Sequence, residues 1–172
     1  ALIINSNAGL WGYSIGDIVK FVSTAPYRII VAGRVKHFIS AFGEHVIGEE
    51  VEQALLEVTK QMGVSVVEFT VAPFIQQGEG KSYHEWFIEF EKKPADMALF
   101  SKKLNEVLSA KNVYYEDLIA GSILAPLHIN QMQKNAFIDY MRAQGKLGGQ
   151  NKVPRLSNDR VIADALKQYI AP

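Results

Sequence analysis

Between residues 47 and 91 the chain changes its hydrophobic period, and that change limits the possible folds more than any other feature. Ile47, Val51, Ala54, Leu55, Val58 and Met62 recur at helical spacing, with Glu49, Glu50, Glu52 and Glu57 between them. This is the apolar stripe of an amphipathic helix, and Gly63 is placed to end it. Residues 64–72, VSVVEFTVA, then alternate with period two. Val67, Phe69 and Val71 fall on one face, Glu68 and Thr70 on the other. After a polar, glycine-containing loop, HEWFIEFE (84–91) alternates again: Trp86, Ile88 and Phe90 read as core, Glu85, Glu89 and Glu91 as a solvated strand face. A helical stripe beside two paired strands implies a helix-on-sheet layer.

The remaining segments extend that layer. Pro94 opens a second helix with Met97, Phe100, Leu104, Val107 and Leu108 on one stripe. Residues 112–119 read as a short helix and 127–132 as a third strand. Ala136, Phe137, Tyr140 and Met141 line another helix. Residues 145–155 form a loop with three glycines and a proline. Ser157 or Asn158 caps a last helix that points Val161, Ile162, Ala165, Leu166 and Tyr169 inward. Upstream, Leu2–Ile4, Asp17–Val22 and Tyr27–Val31 are short β-like runs separated by turns. The expected fold class is α+β, a three-stranded small sheet flanked by helices over 36–172, preceded by a β-rich stretch over 1–35.

Composition narrows the function. Eighteen basic and eighteen acidic residues cancel, with no basic stripe, so neither nucleic acid nor an anionic membrane surface is an expected partner. There is no cysteine, which excludes disulfides and thiolate chemistry and fits a cytoplasmic setting. No apolar run approaches the roughly 20 residues of a membrane span. His37, His45, His84 and His128 show no paired ligand spacing, and no metal site is expected. The chain opens on Ala1 and a strand-like LII with no basic leader, which reads as a piece cut from something longer.

Two polar positions stand out. In YSIGDIVKF (13–21), Asp17 sits on a tight corner that opens into an apolar strand. It either caps the turn or holds something, as an acceptor-only carboxylate can. In QNKVPR (150–155), Lys152 lies in the glycine-rich loop; it is either a solvated lysine or a charge aimed at a site, with Lys146 as competitor.

The segment GRVKHFISAFGEHVIGEEVE (33–52) joins these. Gly33, Arg34, Lys36, Ile39, Gly43, Glu50, Val51 and Glu52 resemble the hinge motif of the adenylate-forming superfamily, which includes acyl-CoA synthetases, luciferase and adenylation domains. Tyr13, Gly16 and Asp17 match the Tyr-x-x-Gly-Asp that precedes that hinge. The longer blocks, with LAPLHINQM and NKVPRL, resemble bacterial members of the Gretchen Hagen 3, or auxin-responsive-promoter, family, whose plant members are acyl-acid amido synthetases. The resemblance implies the following. Asp17, with Tyr13, Gly16 and Arg34, binds ATP; Lys152 is catalytic; Lys36 is the hinge of a mobile C-terminal domain. Mg²⁺ accompanies ATP. A carboxylic acid is adenylated and passed to an amino acid acceptor. Ser40 stands where the superfamily often has lysine, which weakens the rival reading of an acyl-CoA ligase. No Ser/Thr/Gly-rich phosphate loop occurs, so residues 1–35 are expected to be the last strands of a large N-terminal domain that acts as partner. The chain alone is then expected to be inactive. A binding module that kept only the fold is the other reading.

Overall fold

The computed structural model describes residues 2–34, 38–148 and 151–172, with Gly33 and Arg34 given by backbone alone. In chain order the strands before the first helix are β1 (Ile3–Ile4), β2 (Tyr13–Ser14), β3 (Asp17–Thr24), β4 (Tyr27–Arg34), β5 (Phe38–Ile39) and β6 (Val46–Ile47). They pair antiparallel as three two-stranded sheets, β1 with β2, β3 with β4 and β5 with β6. There follow α1 (Gly48–Met62), β7 (Ser65–Phe74), β8 (Tyr83–Lys92), α2 (Met97–Lys111), α3 (Val113–Ala120), β9 (His128–Gln131), α4 (Ala136–Ala143) and α5 (Val161–Leu166). The α+β reading therefore holds, and so does the three-stranded sheet, ordered β7-β8-β9 with β8–β9 parallel.

Each helix forms where its ends are satisfied. In α1, Glu49 and Glu50 lie in the first turn, where carboxylates favour the helix dipole. Glu50 also accepts from the Ile47 amide at 3.0 Å, satisfying one donor ahead of the helix. Gly63 ends α1 at φ 62°, a left-handed turn that costs glycine little. The second helix starts later than Pro94: Asp96 is its N-cap, accepting from the Leu99 amide at 2.9 Å. Asn112 then caps α3 through the Tyr115 amide.

Helices cover both faces of the sheet. On one, Phe69, Val71, Trp86 and Ile88 pack against the buried stripes of α1 and α2 and against Tyr115 of α3. On the other, Ala72 and Phe87 pack with Phe137 and Tyr140 of α4 and Ala163 and Leu166 of α5. This second layer overturns the expectation of a solvated glutamate face at Glu85 and Glu89, whereas Glu91 is exposed as expected. Glu85 is 6 % exposed and Glu89 3 %. Burial demands partners for both. Glu85 receives Arg160 Nη2 at 2.6 Å and Asn130 Nδ2 at 2.9 Å. Glu89 accepts from the amides of Asn135 at 2.7 Å and Phe137 at 3.3 Å, at the start of α4, whose residues Asn135 and Ala136 open it.

Two further expectations change. A β-bulge between Val66 and Glu68 leaves Val67 exposed, while Phe69 and Val71 stay in the core. The last helix is capped neither by Ser157 nor by Asn158: Asn158 Oδ1 instead accepts from the Ser40 amide at 2.9 Å, Arg160 is the N-cap residue, and Val161 faces solvent.

The segment between β5 and β6 is anchored by a buried pair. Glu44 Oε1 lies 2.9 Å from His84 Nε2 on β8, and both side chains are fully buried. Burial alone would raise the Glu44 carboxyl, but the His84 hydrogen bond, backbone amides including that of Phe42 and the imidazole charge bring it below its ordinary value. The Tyr115 ring lies against the His84 ring at 4.9 Å, tilted by 34°, and its phenol is pushed up, by burial first and by Glu44 second. Because the folded carboxyl is the stronger acid, its contribution is complete above the unfolded glutamate value and is lost as the pH falls through it towards the lower folded value. We expect Glu44→Ala to cost about 3 kcal/mol at neutral pH, since it strands a buried imidazole. In Glu44→Gln the acid-linked loss over that window should disappear; urea unfolding at neutral and acid pH measures both.

Candidate functional site

The candidate site is a cleft of about 1000 Å³ where the β3–β4 hairpin, α1, the start of β7 and residues 151–155 meet. Asp17 lines it from the first residue of β3. Its backbone carbonyl accepts from the Leu2 amide at 2.9 Å, which ties β1 to the corner, and Gly16 makes the preceding turn at φ 81°. The register sets Asp17 opposite Arg34. Lys152 lines the same cleft, with an exposed side chain.

Residues distant in sequence hold Lys152 in place. The Val71 amide donates to the Arg155 carbonyl at 2.9 Å and the Ser157 amide to the Val71 carbonyl at 3.1 Å. These bonds form a parallel bridge between Val71 and Leu156 on the free edge of β7. Thr70 Oγ1 donates to the Pro154 carbonyl at 2.7 Å. Val153 is buried in the α4–α5 cluster and Leu156 in the α1–α2 cluster, so the segment straddles the sheet edge.

Arg155 closes this wall. Its guanidinium pairs with Glu68 of β7, approaches Glu52 Oε1 of α1 at 3.4 Å and lies 4.6 Å over the Phe69 ring. Among the described residues Lys152 takes part in no ion pair, whereas Arg155 takes part in two. Beside the cleft, β7, α4 and residues 146–148 and 151–153 bound a smaller, largely apolar cavity of about 230 Å³. Lys152 lines both spaces; Lys146 lines only the smaller one.

The structure thus brings Asp17 and Lys152 to one space. Tyr13 on β2 is half exposed and, like Gly16, lies outside the cleft lining. The Arg34 side chain and the whole of Lys36 lie outside the described residues. Thr70, Glu52, Glu68 and Arg155 were missed as site residues. Only the block NKVPR hinted at Arg155, while its partners come from elements about 85 to 105 residues earlier. Among the described residues no group of three or more His, Asp or Glu is placed to hold a metal ion, and no helix is long and apolar enough to cross a membrane. Removing the Thr70 hydroxyl as Thr70→Val leaves the Pro154 carbonyl unpaired, at a cost of about 1 kcal/mol. Hydrogen exchange should quicken at the Val71 and Ser157 amides, with little change at Ile88.

Comparison with known proteins now carries weight. No curated protein matches the chain at a significant level. Among solved structures it is similar to the GH3.15 acyl acid amido synthetase, with TM-score 0.76 and 17 % identity over 99 % of this chain and 32 % of that one. It is also similar to the AtGH3.15 acyl acid amido synthetase in complex with 2,4-DB, with TM-score 0.74, 17 % identity and the same coverage. The chain therefore spans about a third of the length of those two structures, and at that identity the likeness establishes the fold. Residues 49–161 match the GH3 family C-terminal domain, and the chain belongs to the GH3 family, of which it carries that domain.

Proposed function

We propose that this chain is the C-terminal part of a longer ATP-dependent ligase that adenylates a carboxylic acid and transfers the acyl group to an amino acid. The observation that carries this reading is the shared cleft: a carboxylate, Asp17, and an ammonium, Lys152, line one space from different elements. Membership of the GH3 family supports it.

The cleft residues suit the chemistry. Asp17 accepts from the ribose hydroxyls of ATP, with Arg34 beside it in register. The substrate carboxylate attacks the α-phosphorus, forming a mixed anhydride with AMP and releasing pyrophosphate. Negative charge accumulates between acid and phosphate in that step, and Lys152 neutralises it there. An amino acid amine then attacks the acyl carbon and AMP leaves. Mg²⁺ bound with ATP would supply charge neutralisation at the phosphates, which it would contact together with protein outside this chain.

In this reading residues 1–35 end the large domain, residues 36–172 form the lid, and Lys36 is the pivot between them. Exposed Trp11, Phe21, Tyr27 and Val31 on the β-rich stretch support it, since such apolar surface suits burial against the rest of a large domain. The chain by itself is then incompetent.

The test is carboxylate-dependent ATP–pyrophosphate exchange by the longer protein over a panel of aromatic and aliphatic acids. Lys152→Ala should lower exchange by about two to three powers of ten. Asp17→Asn should raise KM for ATP by about tenfold through loss of charged hydrogen bonds. Release of AMP with amino acids, and not with coenzyme A, identifies the acceptor. Exchange that is indifferent to Lys152→Ala would make Lys152 a bystander and reject the site assignment; exchange absent with every acid would reject the ligase assignment in favour of a binding module.

A further inference from the structure

We infer that Arg155 is a positioning residue that keeps the Lys152 ammonium unpaired by neutralising Glu52 and Glu68, two of the carboxylates that line its cleft. This rests on the reading that Lys152 meets substrate. Lys152, Glu52, Glu68 and Arg155 line the same space. Both carboxylates already lie against the Arg155 guanidinium, and Lys152 pairs with neither.

Geometry explains why arginine serves here. A planar guanidinium presents several donors in a fixed fork and stacks on aromatic faces, so one side chain engages Glu52, Glu68 and the Phe69 ring together. Its main chain is fixed as well, because its carbonyl accepts from Val71. Lys152 lies only three residues upstream, within about 10 Å of main chain. Without the guanidinium, two carboxylates of like charge would face the cleft with no counter-ion. The flexible ammonium of Lys152 is the cation placed to fill that role, and once paired it is withdrawn from the position where negative charge would develop. Glu68 lines the smaller cavity as well, and Lys152 reaches that space too. Arg155 also bridges α1 to β7, so a purely structural clamp is the competing role; the two roles separate when the carboxylates themselves are removed.

The experiment uses the longer protein with Lys152→Ala, Arg155→Ala, Arg155→Lys and the triple variant Arg155→Ala/Glu52→Gln/Glu68→Gln. Thermal unfolding checks folding. Two readouts run in parallel: kcat and KM for pyrophosphate exchange, and the rate at which acetic anhydride acylates the Lys152 amine, followed by mass spectrometry. Arg155→Ala should lower kcat by about tenfold with KM for ATP nearly unchanged, and should slow acylation. Arg155→Lys should fall between, because a point charge satisfies one carboxylate better than two. The triple variant should bring both readouts back to within about threefold of the parent. Either of two results would overturn the inference: a folded triple variant as impaired as Arg155→Ala, or Arg155→Ala with unchanged acylation. If Lys152→Ala leaves exchange intact, the reading that Lys152 meets substrate fails, and the acylation series still decides whether Arg155 shields the amine.

Discussion

The antiparallel pairing of β7 with β8 is the constraint on which the rest of residues 44–172 depends. Both strands are ten residues long, and apolar layers cover both of their faces. A sheet buried on both sides leaves no water to solvate charged side chains, so each must find a protein partner. The glutamates of β8 meet that demand differently. Glu85 accepts a guanidinium and an amide side chain, whereas Glu89 accepts main-chain amides at the start of α4. His84 on the same strand faces the first helical layer and takes Glu44. Three polar residues within one strand thus attach three separate segments: Arg160 ahead of α5, the entrance to α4, and the stretch between β5 and β6.

The same sheet builds the candidate site through its edges. β9 pairs along β8, so the free edge of β7 remains for the chain to return to. Residues 153–157 occupy it, with Val153 and Leu156 filling the two cores. Lys152 is the residue immediately before that return. Its location follows from hydrophobic burial on either side of a strand edge, and the polar contacts of Thr70 and Arg155 refine it.

Much of this was legible in sequence. The stripe Val51, Ala54, Leu55 and Val58 gave α1, and Gly63 gave its end, because both signals are local. Alternation marked β7 and β8 correctly, and a short run marked β9. The failures share a cause: each depended on contacts far along the chain. Glu85 and Glu89 looked solvated because the helices that cover them lie some 45 to 80 residues later. Val67 looked like core because a bulge shifts the pairing by one residue, which period-two counting does not register. Asn158 looked like a cap, yet its side chain serves the Ser40 amide, 118 positions upstream. For the site, Asp17 and Lys152 were singled out by the resemblance of their segments to family motifs, since a lone lysine in a glycine-rich loop carries little signal of its own. Arg155 was not, since its partners are set by the fold alone.

The bridge between Val71 and Leu156 bears on time as much as on shape. A lysine on an ordinary surface loop samples positions within nanoseconds to microseconds, whatever the rest of the protein does. Here the main chain three to five residues beyond Lys152 is a rung of the sheet, and the adjacent Val153 is buried, so the position of its Cα is tied to the sheet and the helices packed on it. Large displacement of that ammonium therefore requires either breaking the rung or carrying the whole layered body along. The second belongs to the slower class of collective motions, in the microsecond to millisecond range. In this architecture the slow motions of the layered sheet set the larger excursions of one charge.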